Sequence, residues 1–234
     1  MHRPANLAFG LVCAFVLILF WAAGAGKAQG AERVPGLNPD DRQICAELIW
    51  AAERSLGIPE HLMQAVGMVE SGRWDQTQKR TMPFPWIINA AGKDMVFKTK
   101  AQAVAAVRRL QRQGIKSIDV GCMQVNLAYH KDAFASLEEA FDPIINVAYA
   151  AHFLSVLHED YGSWTKAVGA YHSLTPAQHF PYRMKVGRAW ADMKRAAAEA
   201  KRARTLTEQE TRRAQRTAER EARQRSAQAE RSGA

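Results

Sequence analysis

Glu70 stands in Val69-Glu70-Ser71-Gly72, directly behind a stretch whose apolar residues Leu62, Val66 and Val69 recur at helical spacing. A carboxyl held against apolar side chains loses hydration of its charged form, so its pKa rises. A glutamic acid that keeps its proton near neutral pH can act as a general acid. Taken alone, the same residue also reads as a surface glutamate at a helix end. A second segment, Gly121-Cys122-Met123-Gln124-Val125-Asn126, supplies side-chain amides at Gln124 and Asn126. Such amides donate to and accept from sugar hydroxyl or acetamide groups, while Met123 suits core packing better than ligand contact. In a third segment, Ala170-Tyr171-His172-Ser173, a tyrosine hydroxyl aimed at a reacting bond would stabilise developing charge. Trp86 suits stacking on the apolar face of a sugar and packing in a hairpin equally well. The histidines (His61, His130, His152, His158 and His179) lack the paired spacing of metal ligands, so neither metal nor cofactor is expected.

In this order the three segments resemble the motifs of the soluble lytic transglycosylase (SLT) domain family, within the lysozyme-like superfamily. That family shows Glu-Ser, then Gly-Leu-Met-Gln, then Ala-Tyr-Asn. Here they read Glu70-Ser71, Gly121-Cys122-Met123-Gln124 and Ala170-Tyr171, and the resemblance covers roughly residues 41–190. Cys122 stands where the family has leucine and His172 where it has asparagine, so the asparagine's role is not carried over. The resemblance implies that Glu70 protonates the β-1,4 glycosidic oxygen between N-acetylmuramic acid and N-acetylglucosamine. Glu70 then acts as base while the muramoyl 6-hydroxyl closes a 1,6-anhydro ring. Ser71, Gln124 and Tyr171 would orient the strand, with Met123, Asn126 and Trp86 as further candidate contacts. The implied partner is the peptidoglycan glycan strand, and secretion or appendage machinery is a possible second one. A lysozyme-type hydrolase would need a second carboxylate, for which Asp75, Asp94 and Asp119 are the candidates. A catalytically silent wall-binding or secretion-accessory protein is the other alternative, although such a relative would usually have lost Glu70.

The elements that must position these residues are mostly helical. Asp40 caps a helix reaching about Leu56, with Ile44, Leu48 and Ala52 on one face and Gly57 as its stop. Pro59 opens a second helix, which Gly72 ends. Residues 73–118 carry strand-like runs at Trp86–Asn89 and Met95–Phe97, joined by a turn at Ala91-Gly92-Lys93, with Ile118–Val120 as a third strand. Thr99 caps a helix through Ala103, Val107 and Leu110. The stripe Ile145, Tyr149, Phe153 and Leu157 marks a helix from Asp142-Pro143 to Gly162. Ser163 caps the helix Trp164–Tyr171, and a last helix carries Tyr182, Val186, Trp190 and Met193. The expected fold is mainly α of the α+β, lysozyme-like kind, with a small hairpin or three-strand insertion and a charged C-terminal tail.

The organisation expected along the chain is a signal over 1–30, a linker over 31–39, a catalytic domain over 40–193 and a tail over 194–234. The start is basic, then apolar from Leu7 to about Ala23, then small-residue, which is the pattern of an export signal. The alternative is an uncleaved anchor, the one case in which the chain would hold to a membrane. Either way the remainder lies outside the cytoplasm, periplasmic or secreted. Cleavage after Gly30 removes Cys13 and leaves Cys45 and Cys122, an even pair that an oxidising compartment would join; two buried thiols are the alternative. The formal charge of +9 is concentrated at the end, where residues 191–234 hold 12 Lys and Arg against 7 Asp and Glu. The basicity therefore describes a tail rather than a phosphate-gripping groove, and no nucleic acid is expected. With Leu206 as its only large apolar residue, the tail reads as disordered or as a lone solvated helix.

Overall fold

The computed structural model describes residues 41–76 and 78–232. The export signal, the linker and the Asp40 cap fall on residues 1–40, outside the described residues. The fold is mainly α with small antiparallel sheets inserted.

Helix α1 spans Asp41–Ser55 and α2 spans Leu62–Ser71. The second helix does not open at Pro59. His61 takes a left-handed conformation with φ 68°, and the helix starts one residue later. Its first N–H groups are satisfied by Glu53, reaching over from α1. Gln64 N donates to Glu53 Oε1 at 3.0 Å, while His61 N and Gln64 Nε2 donate to Oε2 at 3.2 and 2.8 Å. A carboxylate there also complements the positive end of the helix dipole, which explains why Glu53 is tolerated at 2% exposure.

Beyond α2 the chain forms β1 (Gly72–Asp75) and β2 (Arg80–Pro83), an antiparallel pair that the sequence reading did not separate out. Next come β3 (Ile87–Ala90) and β4 (Lys93–Val96), joined by Ala91 and Gly92, both at positive φ as a two-residue hairpin turn requires. Helix α3 covers Lys100–Arg112, with Thr99 Oγ1 accepting from Gln102 N. Strands β5 (Ile118–Val120) and β6 (Val125–Asn126) complete a four-stranded sheet of order β4-β3-β5-β6. Side chains alternate across this sheet. One face buries Ile88 and Val120 against Ala103, Val104 and Val107 of α3 and against Phe141. The other carries a polar row in register, Asp94–Asn89–Asp119–Asn126, one residue from each strand.

The second core is helical. Helices α4 (Leu137–Ala140), α5 (Pro143–Tyr161) and α6 (Trp164–His172) are followed by α7, which runs unbroken from Pro176 to Ser232. Cys45, Ile49, Met63, Val66, Leu154 and Val186 meet in this core. The stripe expected on α5 holds only in part. Leu157 is buried, but Ile145 is 36% exposed, and the wholly buried residues are Asn146, Ala151 and Leu154. Tyr149 and Phe153 instead form a side wall with His130, Phe134 and Tyr171. The alanines beside the deep positions let neighbouring helices approach closely, so small side chains mark the centre that size alone would place elsewhere. Ser163 precedes α6 as expected, but its hydroxyl makes no capping bond. Cys45 and Cys122 are joined, with Cα atoms 5.6 Å apart across 77 positions of sequence. Among the described residues, no helix is long and apolar enough to cross a membrane.

Candidate active site

Glu70 is the penultimate residue of α2, at the negative end of the helix dipole, where a carboxylate is unfavourable. The apolar face of α2 is buried and Glu70 itself is partly buried. Burial pushes its pKa up to about 7; the nearby charge of Asp119 adds to the rise, and the hydroxyl of Tyr182 and the charge of Lys185 oppose it. Tyr182 Oη donates to Glu70 Oε1 at 2.5 Å. Burial and the neighbouring Glu70 hold Tyr182 well above the usual tyrosine range, so it remains a donor throughout the physiological span. His172 stacks on the Tyr182 ring with centroids 4.4 Å apart and planes within 7°.

The turn Gly121–Gln124 lies beside α2. Gly121 has φ 79°, and a Cβ there would sit 2.6 Å from Asn146 Nδ2, so only glycine fits. Asn146, wholly buried, ties the turn down: Oδ1 accepts from Met123 N at 3.0 Å, and Nδ2 donates to Val120 O at 3.1 Å and Ala140 O at 3.0 Å. Tyr171 Oη donates to Met123 O at 2.8 Å. Ser71 Oγ donates to Cys122 O at 2.6 Å and accepts from Phe84 N at 3.1 Å. Gln124 has φ 49° and its Nε2 donates to Ile87 O and Gly121 O at 3.2 and 3.0 Å. Its Oε1 makes no hydrogen bond among the described residues.

These contacts correct several sequence expectations. Ser71 and Met123 have no exposed surface, and Trp86 keeps 6%. They build the site from behind and present nothing to a strand. Trp86 is packed in the sheet core with Val104 and Val107, which decides its two readings in favour of packing. Asn126 is used up. It donates to Ser117 Oγ and Asp119 Oδ1 and accepts from Ala128 N and Tyr129 N. Glu70, Gln124 and Tyr171 all keep partial exposure. Tyr182, Asp119 and Asn146 are the site residues that sequence reasoning missed or left unplaced. Tyr182 was legible only as a core position 112 residues from Glu70.

The three acidic candidates for a second carboxylate separate clearly. Asp75 is 6% exposed and accepts from Gln78 N within the β1–β2 hairpin. Asp94 is held below the usual carboxylate range, first by its hydrogen bond from Arg73 (2.7 Å) and then by Asn89. Asp119 is raised by burial against the pull of Asn126, and it alone of the three acts on Glu70. No group of His, Cys, Asp and Glu among the described residues could hold a metal ion.

A partly buried glutamic acid at a helix end, with its pKa raised toward neutrality, can act as a general acid and base. The model of the transglycosylase SLT domain matches residues 47–178, more than half of the chain, and the chain belongs to that family. Its chemistry is cleavage of peptidoglycan glycan strands. No curated protein and no solved structure matches the chain.

Proposed function

We propose that this chain is a lytic transglycosylase that cuts the MurNAc–GlcNAc β-1,4 bond and leaves 1,6-anhydromuramoyl ends, with residues 40–193 as the catalytic domain. The observation that carries this reading is the state of Glu70: a carboxyl poised near pH 7 with one hydroxyl donor on it. A protonated Glu70 delivers its proton to the glycosidic oxygen as the C–O bond breaks. The carboxylate left behind removes the proton of the muramoyl 6-hydroxyl as that oxygen closes on the anomeric carbon. Proton and bond count balance without water. Tyr182 keeps the carboxyl oriented through both halves, and Gln124 offers its Oε1 to the strand. The substrate and the reading of residues 1–30 as an export signal agree in placing the enzyme outside the cytoplasm.

A hydrolase is the second reading, and Asp119 is the observation that favours it. It is a partly buried carboxyl near enough to Glu70 to raise its pKa, so a second acid is at hand for nucleophilic or general-base work. Mass spectrometry of the muropeptides released from purified peptidoglycan separates the two. Anhydromuramoyl ends, lighter by one water, support the transglycosylase. Reducing ends assign the reaction to hydrolysis and Asp119 to a direct role.

A further inference from the structure

Helix α7 leaves the helical core after Met193 and continues to Ser232, and every residue from 198 to 228 is exposed. At 1.5 Å per residue this free part is about 58 Å long. Its charges are not scattered. At 100° per residue, Arg202, Arg212, Arg213, Arg216, Arg220 and Arg223 fall within about 100° of one another around the helix. Glu199, Glu208, Glu210, Glu219 and Glu221 all lie outside that arc, as do Arg204 and Arg225. None of the six arginines makes an ion pair among the described residues; the pairs on this stretch are Arg195 with Asp192 and Arg225 with Glu221. Tyr182, Val186, Ala189 and Met193, by which the same helix packs on the core, lie roughly opposite the basic arc.

We propose that this arginine stripe is a docking surface for an anionic lipid bilayer. A straight rod with one cationic side meets a flat anionic surface along its whole length, whereas the backbone of a nucleic-acid duplex winds away from it within about one turn. Because the stripe points away from the packed side of α7, the core is held off the surface rather than pressed into it. The free segment has no continuous apolar face, with Leu206 its single large apolar residue, so it lies on headgroups without insertion and its binding is sensitive to salt. This proposal does not depend on the chemistry assigned to Glu70.

The buried residues of both hydrophobic cores and the disulfide lie within residues 45–186, with Ile44, Ala189, Trp190 and Met193 packed against them, so protein beginning at residue 31 carries the folded unit without the apolar N-terminal stretch. Its sedimentation with vesicles of 30% phosphatidylglycerol in phosphatidylcholine is measured at 50 mM and 500 mM salt, beside vesicles of phosphatidylcholine alone. Binding is expected only to the anionic vesicles, with a loss of at least tenfold at high salt. R216Q/R220Q, on the stripe, is expected to weaken binding at least fivefold, and R204Q/R225Q, off it, less than twofold, with helix content by circular dichroism unchanged in both. No binding at 50 mM salt, equal losses for the two pairs, or retention on purified peptidoglycan but not on vesicles would each overturn the proposal.

Discussion

Two carboxyl groups of this molecule have been driven in opposite directions by the regions that hold them. Glu70, on the helical side, has one hydroxyl donor and, among the described residues, no ion-paired cation, and burial raises it to about 7. Asp94, on the sheet, has an arginine and an amide at 2.7 Å each and is lowered. The surroundings of Glu70 withhold compensation and those of Asp94 supply it. A withheld partner leaves the proton exchangeable near neutral pH, where chemistry can use it. A supplied partner makes a fixed charge that only holds structure.

Breaking the helical half gives the largest effect. Glu70→Gln is expected to lower glycan cleavage by at least about 1000-fold, as loss of a general acid and base does, while the protein stays folded. Retained turnover on purified peptidoglycan would mean that another group carries the proton. The same substitution has a thermodynamic signature. The folded-state pKa lies above the unfolded one, so between pH 4.5 and about 7 the unfolded chain has released its proton while the folded protein still holds it. Stability contributed by the neutral form is therefore present at low pH and lost as pH rises through that window. Glu70→Gln should match the parent at pH 4 and exceed it at pH 8 by up to roughly 3 kcal/mol in urea unfolding.

Removing the disulfide is next in size. Reduction, or Cys45→Ser with Cys122→Ser, frees a loop of 77 positions. A loss of about 2–4 kcal/mol in urea unfolding is expected, and a loss under 1 kcal/mol would show that the surrounding core alone fixes the two elements.

A finer test uses two neighbours of Glu70 that pull its pKa in opposite senses. Tyr182→Phe removes a bond that lowers it, and Asp119→Asn removes a charge that raises it. The alkaline limb of kcat/KM should move up in pH for the first variant and down for the second. Movement in the same direction would show that the titrating group is not Glu70. The smallest effect belongs to the sheet. Arg73→Ala breaks a half-exposed pair, so it should cost no more than about 1 kcal/mol and leave the activity profile in place. The Asp94 pKa, followed by NMR, should rise toward its ordinary value.

Local signals made much of this legible. Asp142 and Thr99 accept capping bonds from the first turns of their helices, and the Ala91-Gly92 turn sets the hairpin register. Glu70 and Gln124 were also visible in short motifs. What the sequence concealed depends on long-range contact. Glu53 caps a helix to which it does not belong, Asn146 clamps a turn 23 residues away, and Tyr182 reaches Glu70 from the far side of the chain. Periodicity reports only that such residues face inward. It does not report what they face, which is why Asn146 was passed over in a helix judged by its larger apolar neighbours. Ser71 and Met123 stand in the motifs yet are fully buried: a motif marks residues a site needs, including those that brace it from beneath.

The bond between Cys45 and Cys122 closes a covalent ring that contains Glu70, Asp119 and both strands of the β1–β2 hairpin. A protease that nicks the exposed turn around Gln78 and Lys79 therefore releases no fragment. The cut protein gains the mass of one water and migrates as one species until a reductant parts it into two.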